Sequence, residues 1–86
     1  MSGRPAVRRL HKRSVTIAGH RTSLSLEEPF WQALKSLAED DGVSLAALIE
    51  RVDRARSLGR DPYNLSSALR VYVLERLRES AGARPA

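Results

Sequence analysis

The spacing of the apolar residues changes once along this chain, near Glu28. Before that point apolar and polar residues alternate over two short stretches, 13–17 and 21–26, which is the period of a β-strand. After it, apolar residues recur every three or four positions, which is the period of a helix. Because even an isolated two-stranded hairpin is only marginally stable, this short extended region has to pair and to pack against the helices.

The two stretches with the strand pattern do not share one phase. Their apolar residues are odd-numbered in the first stretch and even-numbered in the second: Val15, Ile17, Leu24 and Leu26. One straight strand would place them on opposite faces, so we expect a turn or a bulge at Gly19. The first stretch can pair with the second within the chain, or the second can pair with its copy in another chain. The sequence leaves both arrangements open.

Three helices are expected after the strand region. The first covers about 28–40, with Pro29 in its first turn and Gly42 as a left-handed residue behind its last turn. Ser44 is a typical N-cap for a second helix over about 45–56. Asn64 can cap a third helix, whose apolar stripe extends to about Arg78. Phe30 and Trp31 are expected in the core because they lie in the helical stripe.

The net charge is concentrated near the N-terminus. Residues 1–26 hold six basic side chains and no acid, whereas residues 27–86 hold nine basic and ten acidic ones, so the first part supplies the whole net charge of +5. A basic segment on a nearly neutral body is typical of a polyanion binder, usually of nucleic acid. We expect a flexible basic arm over 1–12, a folded domain over 13–79 and a frayed C-terminus over 80–86.

Length and composition narrow the function classes. A chain of 86 residues has a thin core, which favours oligomerisation. It has no cysteine, which excludes disulfides and thiolate zinc sites, and its two histidines make a poor metal site. We find no glycine-rich phosphate loop, no ligand cluster and no apolar run of membrane-spanning length, so we expect no enzyme, no cofactor and no membrane partner. The expected location is the cytoplasm, on the nucleoid when DNA is bound.

The second stretch has one face suited to DNA. In a paired strand, Thr22, Leu24 and Leu26 would face the helices, and the alternate residues would face outward. A two-stranded ribbon fits the major groove, where arginine can bind guanine O6 and N7 and serine can bond several base edges. The candidate base-contacting residues are Arg21, Ser23 and Ser25.

These features resemble the ribbon-helix-helix family, the fold class of the Arc and MetJ repressors. The similarity lies in the strand 21–26, in the first helix and in the turn Asp41-Gly42-Val43-Ser44, and covers roughly residues 20–56. Residues 14–25 also resemble a branch of bacterial ribbon-helix-helix domain proteins. The resemblance implies a mostly α fold with one N-terminal β-ribbon strand, here with a third C-terminal helix, in an intertwined homodimer.

The resemblance also implies roles for individual residues. It places Arg21, Ser23 and Ser25 against bases and the start of the second helix against a phosphate. In this chain that start comprises the backbone N–H groups of Val43, Ser44 and Leu45 with the Ser44 hydroxyl. Residues 64–70 also read like the second helix of many members; in that register 43–62 would be an insertion, and the phosphate contact would move to 64–66. The arm residues Arg8, Arg9, Lys12 and Arg13 are expected to bind phosphates.

The expected function is that of a homodimeric DNA-binding protein, a transcriptional regulator whose partners are double-stranded DNA and a second copy of itself. The alternative is an antitoxin-like dimerisation or protein-interaction module that does not read bases. In that alternative the third helix docks a protein partner through Leu65, Leu69, Tyr72 and Val73.

Overall fold

A ribbon of two strands precedes three helices. The computed structural model describes residues 10–55 and 63–82, with side chains in the last helix described from Leu65 onward. The elements are β1 (Leu10–Ile17), β2 (His20–Glu27), α1 (Glu28–Asp41), α2 (Leu45–Ala55) and α3 (Tyr63–Gly82). The expected order of ribbon and helices is confirmed. Arg8, Arg9 and the predicted cap side chain of Asn64 lie outside the described residues.

The ribbon is a hairpin made by one chain. β1 and β2 pair antiparallel from Leu10↔Glu27 to Ile17↔His20. Ala18 and Gly19 form the two-residue turn with φ values of 50° and 85°, the positive values that a type I′ hairpin turn requires at both central positions. The interruption at Gly19 is therefore a turn. Of the two arrangements that the sequence left open, the structure has the first, in which both stretches pair within the chain and form the ribbon ahead of the helices.

β1 begins at Leu10, three residues before the strand pattern starts in the sequence. The side chains at this end do not alternate between apolar and polar, so the sequence pattern does not predict a strand there. The strand continues because its backbone pairs with the end of β2. In addition, the His11 carbonyl accepts a hydrogen bond from the Trp31 indole N–H at 3.0 Å. Residues 10–12, which we assigned to the arm, are thus part of the ribbon.

One face of the ribbon lies on the helices. Leu24 and Leu26 are buried and Thr22 is half-buried, which confirms that the even-numbered side of β2 faces inward. The helices contribute the rest of the core, and none of the described residues is a buried polar or charged one. The buried core residues are Ile17, Leu24, Leu26, Trp31, Leu34, Ala38, Leu48, Ile49, Val52, Leu65, Leu69 and Val73.

Local chemistry sets the α1–α2 turn. Gly42 has φ 70°, its N–H donates to the Glu39 carbonyl and the Val43 N–H donates to the Ala38 carbonyl, which is a Schellman ending. The Ser44 Oγ accepts the Ala47 N–H at 3.0 Å, as an N-cap does. Both predicted caps are confirmed. α3 continues to Gly82 rather than ending near Arg78, since the residues between them contain no helix breaker.

Within the described ranges 10–55 and 63–82, two ion pairs attach α3 to the rest of the chain. Arg76 donates to both carboxylate oxygens of Asp41 at 3.0 Å, and Arg51 donates to the same carboxylate at 3.2 Å. The Arg76 hydrogen bonds, with a smaller contribution from Arg51, hold the pKa of Asp41 below its usual range. Arg70 pairs with Glu27 at 3.0 Å and so joins α3 to β2. No helix within 10–55 or 63–82 has the length and apolar character needed to cross a membrane.

Candidate nucleic-acid interface

Between the pairs Lys12↔Ser25 and Thr16↔Arg21, the face of the ribbon that points away from the helices is polar. Beyond them it ends in the exposed Leu10, across from Glu27. Arg21 and Ser23 are exposed on β2, and Ser25 is half-buried. Lys12 is exposed on β1, directly across from Ser25. The structure therefore brings the three predicted base-contacting residues and one predicted phosphate-contacting residue onto one surface, which we call the outer ribbon face.

Ser25 lies where α3 meets the ribbon. Its backbone carbonyl accepts a hydrogen bond from the Ser66 hydroxyl at 3.1 Å. The first turn of α3 is thereby held against β2, whereas α2 packs against β1. This contact explains why Ser25 is less exposed than Ser23.

The outer ribbon face carries a positive charge at each end, from Lys12 and Arg21. The acid nearest to it in sequence, Glu27, is bonded to Arg70 at 3.0 Å. A hydrogen bond from its own backbone and the contact with Arg70 lower the pKa of Glu27 against the opposing effect of burial. Glu27 therefore stays ionised at neutral pH and its charge is balanced within the chain.

Arg13 lies on the opposite side of the ribbon. Odd-numbered residues of β1 face the helices, and the Arg13 guanidinium lies 3.2 Å from the Glu28 carboxylate and 4.8 Å from the centroid of the Trp31 ring. A hydrogen bond from Gln32 is the largest cause that lowers the pKa of Glu28, and Arg13 adds to it. Arg13 is thus half-buried and paired within the chain, and this arrangement does not favour the phosphate contact predicted for it.

The start of α2 offers fewer donors than expected. The Val43 N–H is already bonded to the Ala38 carbonyl, so the predicted phosphate site is reduced to the N–H groups of Ser44 and Leu45. The Ser44 hydroxyl accepts the Ala47 N–H through its oxygen and keeps its own proton for a further acceptor. The competing candidate, the first turn of α3, is the one that contacts the strand bearing Ser25.

Sequence reasoning missed two residues on the outer ribbon face. Ser14 and Thr16 are both exposed on β1, across from Ser23 and Arg21. The alternation within 13–17 is the signal that could have found them. It did not suffice because the pairing of that stretch was open.

The docking surface expected on α3 is not available as predicted. Leu65, Leu69 and Val73 are at most 3% exposed in the core of the chain itself, and Tyr72 is half-buried with Arg76 over its ring. The large apolar residues that α3 does expose are Val71, Leu74 and Leu77, at 52–57%. α3 has apolar residues on two sides, so helical spacing alone could not show which side faces the core. We call these three residues the α3 stripe.

The comparisons with known proteins agree with this architecture. The family profile described as a ribbon-helix-helix domain matches residues 10–77, a range that runs from the start of β1 into α3. A solved structure, that of an uncharacterized protein from Bordetella pertussis Tohama I, is 30% identical with a TM-score of 0.72, over 98% of this chain and 69% of that one. The search of curated proteins found no match. Because the family match spans the ribbon and reaches into all three helices, the chain belongs to the ribbon-helix-helix family, a family of DNA-binding or regulatory folds.

Proposed function

We propose that this protein is a homodimeric, sequence-specific DNA-binding protein that regulates transcription by placing its outer ribbon face in the major groove. The observation that supports this most is the contrast between the two faces of one hairpin. The side chains of the inner face are buried or half-buried against the helices, apart from the exposed His20 at the turn. The outer ribbon face is polar between Lys12 and Arg21 and has a cation at each end of that range. A two-stranded antiparallel ribbon has the width that the major groove, about 12 Å across, admits.

The side chains on β2 supply chemistry that matches base edges. The Arg21 guanidinium can donate two hydrogen bonds to O6 and N7 of one guanine, and the hydroxyls of Ser23 and Ser25 can donate or accept. The strand that bears them is held from behind by Leu24 and Leu26, which are at most 3% exposed. Such support positions the reading groups before DNA arrives, which lowers the entropic cost of binding.

Phosphate contacts would position the ribbon without reading sequence. We assign them to Lys12, to the arm residues Arg8 and Arg9, and to a helix start. Two helix starts are candidates for that phosphate contact, the start of α2 at Ser44 and the first turn of α3. The second candidate is supported by the hydrogen bond from the Ser66 hydroxyl to the Ser25 backbone carbonyl, at 3.1 Å. Each phosphate contact on duplex DNA should add about −0.9 to the slope of log affinity against log salt.

The α3 stripe supports the homodimer. Exposed large apolar residues that lie together are typical of protein contact sites. Val71 also lines a groove of about 470 Å³ between α2 and α3, so the stripe continues into a concave surface. A second copy that covers the stripe would enlarge the thin core of a chain of 86 residues.

The experiment that tests the function is selection from a pool of random duplex DNA by the purified full chain at two salt concentrations, followed by sequencing. We expect a short repeated motif to be enriched. Arg21→Ala should weaken binding to that motif by about 1–3 kcal/mol and relax the preference at one base pair. Arg54→Ala is the matched control, because Arg54 is an exposed arginine on α2, and it should leave the motif unchanged.

The arm gives a second contrast. Changing both Arg8 and Arg9 to alanine should weaken binding to all sequences alike and make the salt slope shallower. If Arg21→Ala leaves binding unchanged on every sequence, the ribbon does not read DNA. Salt-sensitive binding without an enriched motif would show that the protein binds DNA without sequence preference. If the protein does not bind DNA even at low salt, the alternative of a protein-interaction module that uses the α3 stripe is favoured.

A further inference from the structure

We infer that β1 of a second copy pairs antiparallel along the open edge of β1, and that the four-stranded sheet formed in this way competes with DNA for the ribbon. The competition rests on the proposed function, whereas the pairing stands without it. The inference follows from the direction of the backbone groups of β1, from what covers each edge of the ribbon and from the side chains that a second copy would meet.

The hairpin turn determines which backbone groups of β1 point away from β2. The two-residue turn makes Ile17↔His20 a hydrogen-bonded pair. Because bonded and non-bonded pairs alternate along an antiparallel ladder, the even-numbered residues of β1 direct their N–H and C=O groups to the open edge. None of these outward groups is bonded to another residue within 10–55 or 63–82. The residues concerned are Leu10, Lys12, Ser14 and Thr16.

The opposite edge of the ribbon is covered at one end. The Ser25 carbonyl on β2 points away from β1 and accepts a hydrogen bond from the Ser66 hydroxyl of α3 at 3.1 Å. Among the described helices, α2 packs against β1, and the side chains that β1 buries or half-buries are the odd-numbered ones. The helices therefore cover the inner face of β1 and leave its edge open.

β1 lacks the features that usually keep an edge strand from pairing. Such strands are short, bulged or interrupted by proline. β1 has eight residues and no proline, and its register with β2 is unbroken from Leu10 to Ile17. At its first residue the Leu10 side chain is 54% exposed, and covering an apolar side chain is favourable. The edge is thus regular over its whole length and gains from being covered.

The edge is complementary to itself in one register. In an isologous pair with its two-fold axis at Arg13, Leu10 lies opposite Thr16 of the copy and Lys12 lies opposite Ser14 of the copy. Every outward residue then exchanges two backbone hydrogen bonds with its partner, and the Thr16 methyl group covers Leu10. A pairing with its axis at Lys12 would instead place two lysines directly opposite each other, which is unfavourable.

The residue at the axis has its charge balanced within its own chain. The Arg13 side chain points to the inner face, where its guanidinium lies 3.2 Å from the Glu28 carboxylate and 4.8 Å from the centroid of the Trp31 ring. Glu28 and Trp31 belong to α1 of the same chain. Each Arg13 is therefore directed to its own α1, and two paired cations meet at the axis rather than two free ones.

The joined sheet is too wide for the groove. Four strands span about 14 Å between the outer two, whereas the major groove is about 12 Å across. A molecule whose β1 is paired in this way cannot place its outer ribbon face in the groove. DNA therefore binds the unpaired form, so added DNA opposes the pairing and a higher protein concentration favours it.

The first test measures association of the full chain. Every protein carries Leu74→Glu, so that the α3 stripe does not contribute. Ser14→Glu places an acid opposite Lys12 of the copy, and Ser14→Lys places a second cation there. Ser23→Glu and Ser23→Lys are the matched controls, because Ser23 lies directly across from Ser14 but on β2, one strand farther from the copy. Sedimentation equilibrium at several protein concentrations gives the dissociation constants.

We expect Ser14→Glu to tighten association and Ser14→Lys to weaken it, each by about threefold or more, since two such cross-strand pairs form in each dimer. The Ser23 variants should change the dissociation constant by less than about twofold, because their charges do not face the copy directly. Ser14→Pro removes an outward N–H and leaves the bonds to β2 intact, and it should weaken association by about tenfold or more. Circular dichroism checks that each variant is folded.

The second test locks the pair. The chain has no cysteine, so Arg13→Cys supplies a single thiol at the axis, where the two Cα atoms would be about 4.5 Å apart, within the reach of a disulfide. With oxidised glutathione this variant should form a disulfide-linked dimer more readily than Ser36→Cys on the exposed surface of α1. Fluorescence anisotropy should show that the linked dimer does not bind the duplex motif selected by the wild type and that reduction restores binding.

The outcomes that overturn the inference are distinct from failure of the proposed function. If the Leu74→Glu protein stays monomeric, or if the Ser14 variants differ no more than the Ser23 variants, a second copy does not pair along β1. If the linked dimer binds the motif as tightly as the reduced protein, the pairing does not compete with DNA. If the wild type binds no DNA, the proposed function and the competition both fail, and sedimentation alone decides the pairing.

Discussion

The outer ribbon face and the α3 stripe both point away from the core, yet they are chemically opposite. The outer ribbon face exposes hydroxyls and two cations, groups that are well hydrated and that match base edges and phosphates. The α3 stripe exposes Val71, Leu74 and Leu77 at 52–57%, and burying such groups against an apolar partner is favourable. The difference teaches that one small domain can present a polar and an apolar surface on the same core.

The two surfaces share a single support. Leu24 and Leu26 behind the ribbon belong to the same core cluster as Leu65, Leu69 and Val73 behind the stripe. Substitutions beneath either surface should therefore lower stability, whereas substitutions on top should change binding alone. The predictions below test that separation, from the largest expected effect to the smallest.

The largest effect is expected beneath the ribbon. Leu26→Ala removes a fully buried side chain and should lower the free energy of unfolding by about 2–5 kcal/mol. Ser23→Ala, on the exposed side of the same strand, should change it by no more than about 0.5 kcal/mol. Urea titrations followed by circular dichroism at one protein concentration measure both. Equal losses would show that the two faces of the ribbon are not distinct.

The next effect concerns the α3 stripe. Leu74→Glu places a charge in the stripe but keeps the helix, since Arg70 and Arg78 stand four residues away on either side. For the homodimer proposed above, we expect association to weaken by about 2–3 kcal/mol, because the new carboxylate would be buried without a partner. Analytical ultracentrifugation would then show a larger fraction of monomer than for the wild type. Ser36→Glu adds the same charge to an exposed site on α1 and should leave the dimer intact. If the Leu74→Glu protein still dimerises as the wild type does, the second copy binds to a surface other than the α3 stripe.

The hairpin turn determines which residues reach the outer ribbon face. Ala18 has φ 50°, where residues other than glycine, asparagine and aspartate are strained. Ala18→Asn should raise the free energy of unfolding by about 0.5 kcal/mol, because Asn-Gly is a preferred type I′ turn. Gly19→Ala, at φ 85°, should lower it by about 1 kcal/mol. Thermal unfolding measures whether each variant is more or less stable than the wild type. If Gly19→Ala were more stable than Ala18→Asn, this turn type would be excluded.

The smallest effect concerns the carboxylate that holds α3 in place. The pKa of Asp41 is lowered in the folded protein, chiefly by Arg76. The stability this provides is therefore present above the unfolded pKa near 4 and is lost as pH falls through the folded value. Asp41→Asn should lower Tm at pH 7, and the difference from the wild type should shrink below pH 4. Ser36→Ala changes an exposed uncharged residue of the same helix and is the matched control. An Asp41→Asn difference in Tm that is constant with pH would show that the Asp41 charge does not contribute to stability.

Local signals predicted the elements that depend on a few neighbouring residues. The caps at Gly42 and Ser44 follow from backbone chemistry within one turn of the chain, and the structure has both. The inward position of Leu24 and Leu26 follows from the strand period. The same period also placed Arg21 and Ser23 outward, because successive side chains of a strand alternate between its faces.

Sequence reasoning did not decide the environment of side chains whose contacts lie far away in the chain. Helical spacing places Leu65, Leu69 and Val73 on one side of α3 but does not show whether that side faces the core or a partner. Packing against α2, α1 and β2 buries it in the core. Arg13 has the charge of a phosphate ligand, yet its position in β1 places it over Trp31. Neither choice can be read from residues close in sequence.

The sequence by itself determined the order of ribbon and helices, the turn chemistry and the polar character of the outward side of β2, since these depend on spacing and local backbone preference. Only the tertiary structure decided that β1 is the partner of β2, that Ser14 and Thr16 share the outer ribbon face, and that α3 buries one apolar side and exposes the other. The physical reason is that strand pairing and burial are set by contacts between residues far apart in the chain. Such contacts exist only after the chain has closed around its core.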